Sequence, residues 1–111
     1  MIKLKIQGAS KIRTVILYLE KLEDYYENEI AKKRTGSNDQ LIMISYLELI
    51  QNLLRKLKIS QINGKVKVTV DILKITALVI VFQNKLIEQD VYSQNVISEL
   101  TVMLHKQLIN Q

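Results

Sequence analysis

The residues that could do chemistry are few, and they fall into three groups. Glu20, Glu23, Asp24 and Glu27 recur three or four residues apart, so a helix would set them on one face. Four carboxylates so placed could hold a metal ion or a basic partner. The plainer reading, a solvated face, is preferred, because no histidine stands beside them and general acid-base work needs a cleft. His105 is the sole histidine; Lys106 follows it, and no carboxylate stands three or four residues away. It reads as a surface or packing residue and not as a ligand. The third group is basic: Lys32-Lys33-Arg34, Arg55-Lys56-Lys58 and Lys65-Lys67. Solvated helix ends are the plain reading of these runs. A membrane surface or a nucleic acid is the sharper one. Nucleophile triads, phosphate loops and paired metal-ligand motifs are absent from the sequence. A chain with no cysteine and one histidine is therefore expected to be non-enzymatic, with no cofactor and no metal.

The elements that must carry these groups come next. The chain has 111 residues, the size of one domain, 1–111, with a core large enough to need no staples. Apolar residues make up 48% of it, which argues against disorder. The lack of cysteine fits a reducing compartment, and MIKLKIQGAS lacks the apolar stretch of a secretory signal, so a cytoplasmic location is expected. There is no proline and there are three glycines, so long helices can run unbroken. The net charge of +5 admits a nucleic acid, an anionic membrane surface or an acidic protein partner, and selects none of them.

Asp71 to Glu88, DILKITALVIVFQNKLIE, is the most apolar stretch. Ile75 to Phe82 is apolar all round except at Thr76, too short to span a bilayer at about 20 residues. It is expected to be a central buried helix with Leu78 and Phe82 inside; a strand rich in Ile, Val and Thr is the alternative.

Ile2, Leu4 and Ile6 alternate with Lys3, Lys5 and Gln7, a half-buried strand pattern broken by Gly8. Ser10 is expected to cap a helix from Lys11 to about Lys33, with Ile12, Val15, Ile16, Leu19, Leu22, Tyr26 and Ile30 as its apolar stripe. The five tyrosines mostly fall on or beside apolar stripes and read as core or core edge, and Tyr25 and Tyr26 cannot both face the same way. Thr35 to Asp39 is a loop, and Ser37 with Gln40 has capping-box spacing for a helix from Gln40 to about Lys58. Its face runs through Leu41, Ile42, Met43, Tyr46, Leu47, Ile50, Leu53, Leu54 and Leu57, and the short loop makes it antiparallel to its predecessor. Asn63-Gly64 marks a turn; Val66, Val68 and Val70 then alternate with Lys65, Lys67 and Thr69. A last helix starts at Asp90 or Ser93 and carries Tyr92, Val96, Leu100, Met103, Leu104 and Leu108 on one side. The sum is a mainly α chain, an antiparallel four-helix bundle. Following the chain up and down also lays segments 2–7 and 65–70 antiparallel, as a short two-stranded β ribbon or as irregular segments.

Lys3, Leu4 and Lys5, then Gly8, then Asp71, Ile72 and Lys74, then Tyr92, Glu99 and Leu100 form an outline. It resembles the small immunity proteins of pediocin-like bacteriocins. The chain departs from them in carrying Ile6 where an aromatic is usual and in a longer third helix. The resemblance implies a four-helix bundle without catalysis that protects a bacterial producer cell. It also implies action from the cytoplasmic side on a membrane sugar permease trapped by the bacteriocin, with specificity in the part from Lys65 to Gln111. The contact surface expected on the last helix is Gln94, Glu99, His105 and Lys106. A second likeness is to ribbon-helix-helix DNA binders. There Lys3, Lys5, Lys65, Lys67 and Thr69 would enter a major groove from the ribbon.

Overall fold

The computed structural model describes residues 2–60, 65–70 and 90–109. Strand β1, Ile2–Gln7, leads into helix α1, Ala9–Lys32; helix α2, Asn38–Ser60, and strand β2, Lys65–Val70, follow; helix α3, Val91–Ile109, ends the described chain. The fold is mainly helical, with three helices and one short ribbon among the described residues. The turn expected at Asn63-Gly64 and the central helix expected over Asp71–Glu88 lie outside them. Among the described residues the central place belongs to α1, which packs against α2, α3 and both strands.

The strands pair antiparallel, with Ile2 opposite Val70, Leu4 opposite Val68 and Ile6 opposite Val66. This is the ribbon expected from the alternation. Ile6 is buried, so the apolar parity of β1 faces the helices, while Lys5 and Gln7 are exposed.

Helix α1 forms because its apolar residues return every three or four positions and no glycine or proline interrupts it. Ile12, Val15, Ile16, Leu19, Leu22 and Tyr26 are buried as the stripe requires, and Tyr18 joins them, while Ile30 is only partly covered. The cap differs from expectation. The helix starts two residues earlier than Ser10 would start it: Gly8, at φ 103°, is the N-cap, and the Ile12 N–H donates to the Gly8 carbonyl at 3.0 Å. A positive φ of this size is what glycine tolerates and side-chain-bearing residues avoid. Ser10 is thereby freed for another task, described below.

The turn into α2 uses Ser37 as expected. Its Oγ accepts the Gln40 N–H at 3.2 Å. The reciprocal half of the box is displaced: the Ser37 N–H donates to the Arg34 carbonyl at 3.0 Å, and Gln40 Oε1 accepts instead from the Gly36 N–H at 2.7 Å. Gln40 Nε2 also reaches back to the Ile30 carbonyl at 3.4 Å, tying the start of α2 to the end of α1. The two helices run antiparallel, with the Tyr26 and Tyr46 rings edge to face at 5.8 Å and Tyr25 against Tyr26 at 5.2 Å. Ile50, Leu53, Leu54 and Leu57 are buried; Met43, Tyr46 and Leu47 are partly so. Leu41 and Ile42, expected on the same buried face, are exposed: Leu41 stands half a turn round the helix from Ile50, and Ile42 stands where α1 is already ending.

Candidate functional site

Helix α3 is set by its first turn. Asp90 is the cap, as one of the two expected starts had it: its Oδ1 accepts the Ser93 N–H at 2.7 Å, and its carbonyl accepts the Gln94 N–H at 3.0 Å. That backbone hydrogen bond, then one from the Ser93 side chain, holds the Asp90 carboxyl below the usual carboxylate range. Val96, Ile97, Leu100 and Leu104 fix the rotation of the helix by entering the core. Ile97 was missed by the expected stripe, and Tyr92, placed on it, is exposed.

With that side buried, Gln94, Glu99, His105 and Lys106 are all exposed, as expected of a contact surface. They do not form one row. Successive residues turn by about 100°, which sets Gln94 and His105 along one edge of the solvent side and Glu99 and Lys106 along the other. Between the two edges run Val91, Asn95, Ser98 and Val102, all exposed. Val91 at 72% and Val102 at 49% exposure set two apolar residues in the middle of this face, with Asn95 and Ser98 between them. The face is thus mostly polar, with two exposed valines along its middle.

Two contacts between α1 and α3 had no signal in the sequence. Ser10 Oγ and Tyr92 Oη are hydrogen-bonded at 2.9 Å, and Lys11 Nζ donates to Glu99 Oε2 at 3.3 Å. Their partners lie 82 and 88 residues apart. Local spacing carries no trace of such pairs, and only covariation among relatives could have pointed to them.

The ribbon places the lysines of the DNA-binding alternative. Lys5 stands opposite Lys67, Lys3 opposite Thr69 and Gln7 opposite Lys65. The four lysines therefore share one parity of the ribbon, opposite to that of buried Ile6.

The remaining candidates stay apart. Glu20 and Glu23 are partly covered and Asp24 and Glu27 exposed; among the described residues no three metal-binding side chains come together. His105 is exposed on α3. Lys32 pairs with Glu29 at 3.3 Å, and Arg55 donates to Asn52, so one residue of each of those two basic runs is engaged on its own helix. Among the described residues no helix is long and apolar enough to cross a membrane. No protein-family model, curated protein or solved structure matches the chain.

Proposed function

We propose that the chain is a non-enzymatic interaction protein that meets a protein partner through the solvent side of α3, as a cytosolic immunity protein protecting the producer of a pediocin-like bacteriocin. In this reading Asp71–Glu88 supplies the remaining helix of an antiparallel four-helix bundle. The partner is a membrane permease complex reached from the cytoplasmic side. The observation that supports partner binding is the pair of exposed valines, Val91 and Val102, on a face edged by Gln94, His105, Glu99 and Lys106. The sequence outline shared with immunity proteins supplies the kind of partner.

The experiment is expression in cells sensitive to pediocin-like peptides, scored by survival against a panel of them. Survival against at least one peptide is expected. Chimeras that exchange everything after Gly64 with a relative should carry the protection with that part. If no peptide is resisted, the immunity reading fails.

The register of the ribbon favours DNA binding as a second reading, because the paired strands come from one chain and put Lys3, Lys5, Lys65 and Lys67 on one parity. If these four lysines neutralise phosphates, log K should fall with log salt at a slope of about −3 to −4, near −0.9 per contact. Replacing them with glutamine should then flatten the slope. Under the preferred reading duplex DNA is bound only weakly and without sequence preference. A tight, sequence-selective complex at physiological salt would replace that reading with this one.

A further inference from the structure

The side of α2 turned away from the core carries Leu41, Ile44, Glu48, Arg55 and Ile59. At about 100° per residue the five fall within a sector of about 60°, half a turn round the helix from buried Ile50 and Leu57. Leu41 is 55% and Ile59 72% exposed, Ile44 is half-buried, and Glu48 and Arg55 are exposed. Glu48 has no cation three or four residues away on α2, and Arg55 has no carboxylate there. The two stand two turns apart, outside the range of helical ion pairs. Among the described residues Arg55 donates to Asn52, and neither charge enters an ion pair.

We propose that this face is a self-association surface, on which α2 of a second copy of the chain packs antiparallel about a two-fold axis between Gln51 and Asn52. The spacing of the residues selects that partner. Such an axis sets residues equally far before and after it opposite each other. Glu48 of each copy then meets Arg55 of the other, and Ile44 of each meets Ile59 of the other. Leu41 stands one turn beyond Ile44 and covers the same Ile59. At the axis the neutral amides of Gln51 and Asn52, which donate and accept hydrogen bonds, face each other, so no charge is buried there. Because the interface is isologous, each of these pairs is made twice. A parallel partner would set Glu48 on Glu48 and Arg55 on Arg55, and like charges repel. One helix pair covers less than the roughly 1,200 Å² at the lower end of standard interfaces, so the association is expected to be reversible and concentration-dependent.

The test is sedimentation equilibrium of the full chain from about 10 µM to about 1 mM, the range of a weak reversible dimer. A monomer–dimer equilibrium is expected. Glu48→Arg or Arg55→Glu alone turns both attractive contacts into repulsive ones and should weaken the dimer about tenfold. The double variant, Glu48→Arg with Arg55→Glu, restores both pairs and should dimerise like the native chain. An equimolar mixture of the two single variants should form the heterodimer. Ile59→Ala should weaken the dimer severalfold, whereas Leu17→Ala, at an exposed leucine on α1, should leave it unchanged. Glu48, Arg55 and Ile59 are exposed, so these substitutions leave the core intact. A chain that stays monomeric at about 1 mM would overturn the proposal and leave the face to solvent or to a different protein. So would single variants that dimerise unchanged, a double variant that does not recover, or a loss with Leu17→Ala equal to that with Ile59→Ala.

Discussion

Leu19→Ala is expected to lower the free energy of unfolding by about 2–5 kcal/mol, the range for a leucine truncated inside a packed core. Leu19 is 0% exposed on the buried side of α1, the helix that packs against every other described element. Leu19 belongs to the core that residues of β1, α1, α2 and α3 build together, so its truncation leaves a cavity there. For a domain stable by about 5–15 kcal/mol, this is a large fraction of the total. Leu17→Ala is the matched control: the residue type and helix are the same, but the side chain is 61% exposed. It should change stability by under about 0.5 kcal/mol. Urea unfolding of the two variants gives the comparison, provided the slope with denaturant stays unchanged. Equal losses would mean that α1 does not present this side to the core.

The second large effect is an alkaline transition. Burial, and then the neighbouring Tyr26, pushes the Tyr18 phenol well above its ordinary range. Burial, then Tyr25 and Tyr46, pushes Tyr26 up to about 12. Folded-state values above the unfolded value of about 10 give stability that is fully present below pH 10. As the pH rises past 10, the unfolded chain releases these two protons first. Each phenol then costs up to about 1.4 kcal/mol per pH unit until its folded value is reached, so the pair approaches about 2.7 kcal/mol per unit between pH 10 and 12. Urea midpoints measured across that window give the slope. Tyr26→Phe should remove about half of the tyrosine part, while lysine titration, common to both proteins, cancels in the difference. In parallel, phenolate absorbance should show two tyrosines that ionise only as the chain unfolds. If every tyrosine ionises at its ordinary value while the fold persists, these side chains are not buried.

The periodic parts of the fold were legible because burial writes itself into spacing. Ile12 to Tyr26 announced α1, and the alternation of Lys3, Lys5 and Gln7 with apolar residues announced β1. Where the reading went astray, an identifiable physical term was missing from it. Ser10 looks like a cap by composition, but Gly8 can take a backbone conformation that starts the helix sooner. Ile42 has the right period, yet period says nothing about whether a neighbouring helix reaches that far, and Leu41 stands nine residues before Ile50, half a turn round the helix from the buried row. On α3 the chosen row of Tyr92, Val96, Leu100 and Leu104 steps by four residues, which overshoots a turn by about 40° each time. The row drifts round the helix, Tyr92 swings outward and Ile97 is drawn in. The candidate surface was legible as exposed polar residues. The exposure of Val91 and Val102 among them was not, since both look like core residues until the rotation of α3 is known.

The ribbon also sets an order of assembly. Helices α1 and α2 are joined by a short loop and can meet while the rest of the chain is still unfolded. Pairing Ile2 with Val70 closes a loop that spans both helices. Such a contact between distant segments gives nothing until the intervening chain is confined. Once the helical hairpin has formed, the ends of β1 and β2 are held close together and the remaining closure is short. The strands should therefore zip late, after the hairpin, and act as a latch on a structure already collapsed. Mutations in the ribbon would then mainly hasten unfolding, while those between α1 and α2 would mainly slow folding.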